Sequence, residues 1–152
     1  MGMFDALDVS ASGLTAQRYR MDIISENVAN ANTTRTENGT PYRRKVVTFE
    51  AKGPDGQSFS SVLGKSSATL AGAIGDGVRI TSIRGDYSSD FKKGYDPSHP
   101  DADENGYVFY PNVDTITEMT NLIDASRAYE ANATVIDGTK SMLQTGLSIA
   151  KS

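Results

Sequence analysis

The chain has 152 residues, a formal net charge of -4, one His, and neither Cys nor Trp, a length that suits one domain or one compact piece with extensions. The missing cysteine excludes disulfides, thiolate metal sites, iron–sulfur clusters and cysteine nucleophiles. The mild acidity argues against nucleic acid as a partner, because phosphate binding needs clustered Lys and Arg.

At the N-terminus, Met1-Gly2-Met3-Phe4-Asp5-Ala6 has no basic region and no apolar run, so a cleaved secretory signal is not expected. From residue 3 to about 32 the pattern predicts a helix. Leu7, Leu14, Met21 and Val28 recur every seven residues, with Phe4, Ala11, Ile24 and Ala31 beside them. Asn30-Ala31-Asn32-Thr33-Thr34 ends it, since Asn and Thr side chains compete for the backbone's hydrogen bonds. Arg43-Arg44-Lys45, the densest basic run, reads as the solvated edge of a strand.

Strands are expected over 44–50, 78–83 and 107–110 from their alternation, with a turn at 53–56 and a weaker strand over 58–63. Residues 64–77 are rich in Gly, Ser and Ala and read as a loop. A second, longer helix is expected from 115 to about 150, opened by the capping box Thr115-Ile116-Thr117-Glu118. It carries two apolar columns, Leu122, Tyr129, Ile136, Leu143 and Ala128, Val135, Met142, Ile149. Between them runs a valley of small residues, Ala125, Asn132, Thr139 and Gly146. That face is wider than one partner helix needs, and the surplus reads as a surface for other subunits. No run approaches 18 apolar residues, so no membrane-spanning helix is expected.

The fold class is therefore α+β: long terminal helices, 1–34 and 113–152, around a β-rich insert, 35–112. The helices are expected to pair with each other. Chemical motifs are weak. Asp101-Ala102-Asp103-Glu104-Asn105-Gly106 matches half of an EF-hand calcium loop, but Asn112 stands where a bidentate Glu is needed, and Pro97 and Pro100 forbid an incoming helix. His99 has no nucleophile motif to serve and reads as a turn residue. Arg84-Gly85-Asp86 and three N-x-T sequons are short enough to arise by chance. No catalytic, cofactor or metal site is assigned.

Longer motifs are more specific. Ala11-Ser12-Gly13-Leu14-Thr15-Ala16-Gln17-Arg18 and Ile24-Ser25-Glu26-Asn27-Val28-Ala29-Asn30-Ala31-Asn32-Thr33 resemble the N-terminal signature of bacterial flagellar axial proteins of the rod and hook. Glu118-Met119 and Ala125-Ser126-Arg127-Ala128-Tyr129-Glu130-Ala131-Asn132 resemble their C-terminal one. The stretch from Tyr95 through Pro97, His99 and Pro100 to Asp103, then Gly106-Tyr107-Val108 and Tyr110-Pro111-Asn112-Val113, is similar to proximal-rod members of that family. The resemblance implies terminal helices paired as an inner coiled coil and subunits stacked helically into a periplasmic drive shaft in the basal body. The partners it implies are copies of the chain, other rod subunits, membrane-ring and rod-base proteins, and the flagellar type III export apparatus in transit. It implies no cofactor, no nucleic acid and no membrane insertion. Subunit packing is expected at Leu7, Leu14, Met21, Val28, Leu122, Ala125, Tyr129, Asn132, Ile136 and Leu143.

Overall fold

The computed structural model describes residues 3–52 and 77–149. Helix α1 runs from Met3 to Ala29, followed by strands β1 (Lys45–Ala51), β2 (Val78–Gly85), β3 (Lys92–Tyr95) and β4 (Tyr107–Tyr110), and then helix α2 (Thr115–Ile149). The two helices lie antiparallel along each other: Asn27 meets Glu118 at one end, and Gly13 meets Asn132 further along. At 1.5 Å per residue, α2 with its 35 residues is about 12 Å longer than α1 with 27. The expected turn at 53–56 and strand over 58–63, and the expected loop over 64–77 apart from Gly77, lie outside the described residues.

The seam between the helices is made mostly of small and polar residues, with Ile24 as its large apolar member. Ser10, Ala16, Ile24 and Asn27 are the buried positions of α1, and Glu118, Ala125 and Thr139 those of α2. The small-residue valley on α2 thus faces α1 at Ala125, Asn132 and Thr139, where short side chains let the two backbones approach, while Gly146 is exposed with nothing against it. Three polar side chains of the seam bond within their own helices: Ser10 Oγ donates to the Ala6 carbonyl, Thr139 Oγ1 to Val135 and Asn132 Nδ2 to Ala128. The apolar heptad column Leu7, Leu14, Met21 and Val28 lies on the flank and is only half-buried. So are Leu122, Asn132, Ile136 and Leu143, while Tyr129 is exposed.

The insert consists of two separate antiparallel ribbons, β1–β2 and β3–β4. The first pairs Lys45 with Gly85 and Ala51 with Val78, with a register shift at Thr48/Phe49. Its near end is tied to the middle of α1, where the Val78 amide donates to Ser12 Oγ. The second pairs Lys92 with Tyr110 and Tyr95 with Tyr107. Lys92-Lys93-Gly94-Tyr95 shows neither alternation nor β-branched residues, so it was not expected as a strand; pairing with β4 makes it one. Gly94 sits opposite Val108, where a Cβ would come within 3.0 Å of the Tyr110 ring. Val108, Pro111 and Val113 form the buried core beneath this ribbon.

Helix α2 starts one residue earlier in capping terms than the Thr115–Glu118 box implies. Asp114 is the cap: its carboxylate accepts from the Ile116 amide and the Thr117 hydroxyl, and its carbonyl accepts from the Glu118 amide. These two donors hold the Asp114 carboxyl below its ordinary pKa, the Thr117 hydroxyl most of all. Glu118 is thereby released from capping.

Candidate functional site

Glu118 is fully buried, and a buried carboxylate must be paired and hydrogen-bonded. It is both. Its Oε1 accepts from Arg44 Nε at 2.8 Å and from Arg44 Nη2 at 2.7 Å, and its Oε2 accepts from Asn27 Nδ2 at 3.0 Å. Three parts of the chain converge here: the end of α1, the entry to β1 and the first turn of α2.

Asn27, 1% exposed, is the pivot of this joint. Its Nδ2 also donates to the Lys45 carbonyl at 2.9 Å, and its Oδ1 accepts from the Lys45 amide at 2.8 Å and the Tyr42 hydroxyl at 2.9 Å. The side-chain amide thus mimics a neighbouring strand for Lys45 and uses its full bonding capacity. Burial, reinforced by the Glu26 and Glu118 carboxylates, pushes the Tyr42 hydroxyl up to about 12. A phenol held neutral there is a permanent donor to Asn27.

Asn112 makes a second tie. Its Oδ1 accepts from the Arg44 amide at 2.8 Å, while its Nδ2 donates to the carbonyls of Asp86 and Ser89. The Asp86 amide donates in turn to the Arg44 carbonyl. The Asp86 carboxyl, 3.7 Å from Arg44 Nη1, is drawn down to about 2, chiefly by the hydroxyl and amide of Ser88.

The basic run is therefore not a solvated edge. Arg43 is sandwiched between the rings of Tyr87 and Phe91, at 4.6 and 4.2 Å, and donates to the Asp86 carbonyl. Arg44 is committed to Glu118, and Lys45 pairs with Glu26. Lys92, from the other ribbon, donates to the Val113 carbonyl just before α2. These three consecutive side chains reach three different neighbours, each at least 19 residues away in sequence, which nearby sequence cannot reveal.

The motif residues divide sharply. Asn27, Asn112 and Glu118 build the joint. Asn30 stays local, donating to the Glu26 carbonyl and accepting from Thr33. Asn32, Arg127 and Glu130 are exposed, as are Pro97, Pro100 and Tyr107, while Pro111 is buried. His99 holds a turn: its Nδ1 accepts from the Asp101 amide, and its ring meets Tyr110 edge-on. Tyr42 and Arg44, which hold the joint as firmly as any motif residue, carried no signal in the sequence beyond the basic run.

The half EF-hand is a hairpin connection between β3 and β4. Asp103 Oδ1 accepts from the amides of Asn105 and Tyr107, Asp101 Oδ2 accepts from Thr34, and Gly106 takes the left-handed φ of 78° that closes the turn. The carboxylates of Asp101 and Asp103 are thus occupied with the chain's own donors. Among the described residues, no three His, Asp or Glu side chains converge as a metal site, and no helix is long and apolar enough to cross a membrane.

Two family models match the chain at its two ends: flagella basal body rod protein over residues 7–35, and flagellar basal body rod FlgEFG protein C-terminal over residues 104–149. Among curated proteins, the chain is 49% identical to flagellar basal-body rod protein FlgC of Bacillus subtilis, over 99% of this chain and 100% of that one. It is 45% identical to the protein of that name from Borreliella burgdorferi, over 98% of both chains. To that of Salmonella typhimurium it is 34% identical over 99% of this chain and all of the other.

Proposed function

The chain belongs to the flagellar basal-body rod protein family and is a structural rod subunit, and we propose that its joint is what makes it a stiff element of a torque-bearing shaft. In this reading copies of the chain and other rod subunits stack helically across the periplasm. The membrane-ring and rod-base proteins are its neighbours below, and the flagellar type III export apparatus handles it in transit. No catalytic step is assigned to it.

The observation that carries this reading is the buried Asn27–Arg44–Glu118 contact. A shaft subunit must pass load between its inner helices and its outer insert without a soft hinge. Here one saturated polar cluster fixes both helices and β1 together, and a fully satisfied buried network admits few alternative arrangements. Ile116, Met119, Ile123, Val135, Met142, Leu147 and Ile149 of α2 remain exposed, as apolar flanks for neighbouring subunits. Leu7, Leu14, Met21 and Val28 border the seam and can serve both contacts.

A deletion strain tests this directly. Loss of swimming in soft agar, with no hooks or filaments by electron microscopy, is expected, with restoration by the wild-type chain. Restoration should fail for Glu118→Ala. A deletion strain that builds hooks and swims would overturn the reading.

A further inference from the structure

The exposed flanks of α2 each contain a methionine. Met119 lies between Ile116 and Ile123 and is 56% exposed, and Met142 lies between Val135 and Ile149 and is 63% exposed. Met21, on α1, is half-buried. The chain has neither Cys nor Trp among its 152 residues, so it lacks the thiolate that usually meets a peroxide first. The thioether is then its most easily oxidised side chain toward two-electron oxidants, and exposure decides which thioethers react.

We propose that Met119 and Met142 are peroxide-sensitive modification sites, whose conversion to the sulfoxide makes the apolar flanks of α2 polar and blocks incorporation of the subunit. The consequence for assembly rests on the reading that these flanks meet neighbouring subunits; the chemistry does not. In the step, the sulfur lone pair attacks one oxygen of hydrogen peroxide, an S–O bond forms and the O–O bond breaks. The released hydroxide takes the proton from the new S–OH group, leaving sulfoxide and water. Sulfur is oxidised by two electrons and the peroxide is reduced by two. The product replaces a soft apolar group with a strong acceptor dipole, which a close contact between apolar faces leaves without a donor. Once a subunit is incorporated, burial of the flanks removes the sulfur from the oxidant, so the sensitive stage is the free subunit.

The test has two arms. The full-length, unassembled chain is treated with hydrogen peroxide, and oxygen uptake is followed peptide by peptide by mass spectrometry. Met119 and Met142 should oxidise several times faster than Met21; equal or faster oxidation of Met21 would overturn the site assignment. In the second arm the deletion strain carries the double variant Met119→Gln, Met142→Gln, or the double variant Met119→Leu, Met142→Leu. All three side chains are good helix formers, so both variants preserve α2. The Leu variant should restore swimming, while the Gln variant, a polar match for the sulfoxide, should not. Normal swimming by the Gln variant would refute the effect on assembly and leave the rod assignment intact. Failure of the wild-type chain to restore swimming would refute the rod assignment instead.

Discussion

The two ends of the helix pair are held by different means. Where α1 ends and α2 begins, Asn27, Arg44 and Glu118 form a buried polar contact in which each side chain has its partners. Toward the other end, the helices touch at Gly13 and Asn132, Thr139 is buried, and Gln17 Oε1 is buried without a hydrogen-bond partner. Beyond that, Leu147 and Ile149 stand exposed on the overhang of α2. The joint fixes one arrangement by directional bonds. The open end offers apolar area without direction, which suits contacts completed by other chains.

The largest effect should come from dismantling the joint. Glu118→Ala leaves donors of Arg44 and Asn27 without an acceptor in a buried place. Loss of one member of a buried ion pair costs several kcal/mol, but Arg44 retains 27% side-chain exposure and partial hydration offsets some of it. A loss of about 3 kcal/mol is expected, read as a lowered urea midpoint with unchanged slope. A stability equal to wild type would mean that the seam, not the joint, anchors the helices.

Next comes the seam. Ala125 has no exposed surface, and Ala125→Leu forces extra methylenes against α1, for a loss of about 1–3 kcal/mol. Ala131→Leu, at an exposed position of the same helix, should change stability by no more than about 0.5 kcal/mol. Thermal unfolding of the pair compares them, and equal effects would show that the close approach at Ala125 is not constraining.

An opposite sign is expected in the middle of the seam. Gln17→Met removes the orphaned acceptor and keeps the side-chain length, so stability should rise by about 1 kcal/mol. A loss in urea unfolding would mean that Gln17 contributes a bond the geometry does not reveal.

The smallest effects concern pH. Asp86 sits at about 2 in the folded chain against an ordinary 3.8, so its contribution is present above about pH 4 and is lost as pH falls toward 2. Tyr42 is raised from 10.0 to about 12; its contribution is complete below pH 10 and is lost as pH rises toward 12. Asp86→Asn should flatten the acid limb of a stability–pH profile, and Tyr42→Phe the alkaline limb. Unaltered limbs would remove both groups from the linkage.

Much of this molecule was legible from residue order alone. Heptad and i+3/i+4 spacing placed both helices to within about three residues at their ends, because a helix needs only local bonds and one apolar stripe. Alternation placed β1, β2 and β4 for a similar reason. The motif residues Asn27, Asn112 and Glu118 could be singled out by resemblance, but not their meeting, since positions 27 and 118 are 91 residues apart. Three things were decided only by tertiary structure. Strand β3 exists because β4 offers it a partner. The most buried positions of the seam are mostly small or polar, with Ile24 among them, and the Leu7–Val28 column borders it half-buried, because short side chains let the two backbones approach. And Glu118, which in sequence reads as half of a capping box, turns inward to Arg44 and Asn27, because Asp114 has already satisfied the first amides of α2.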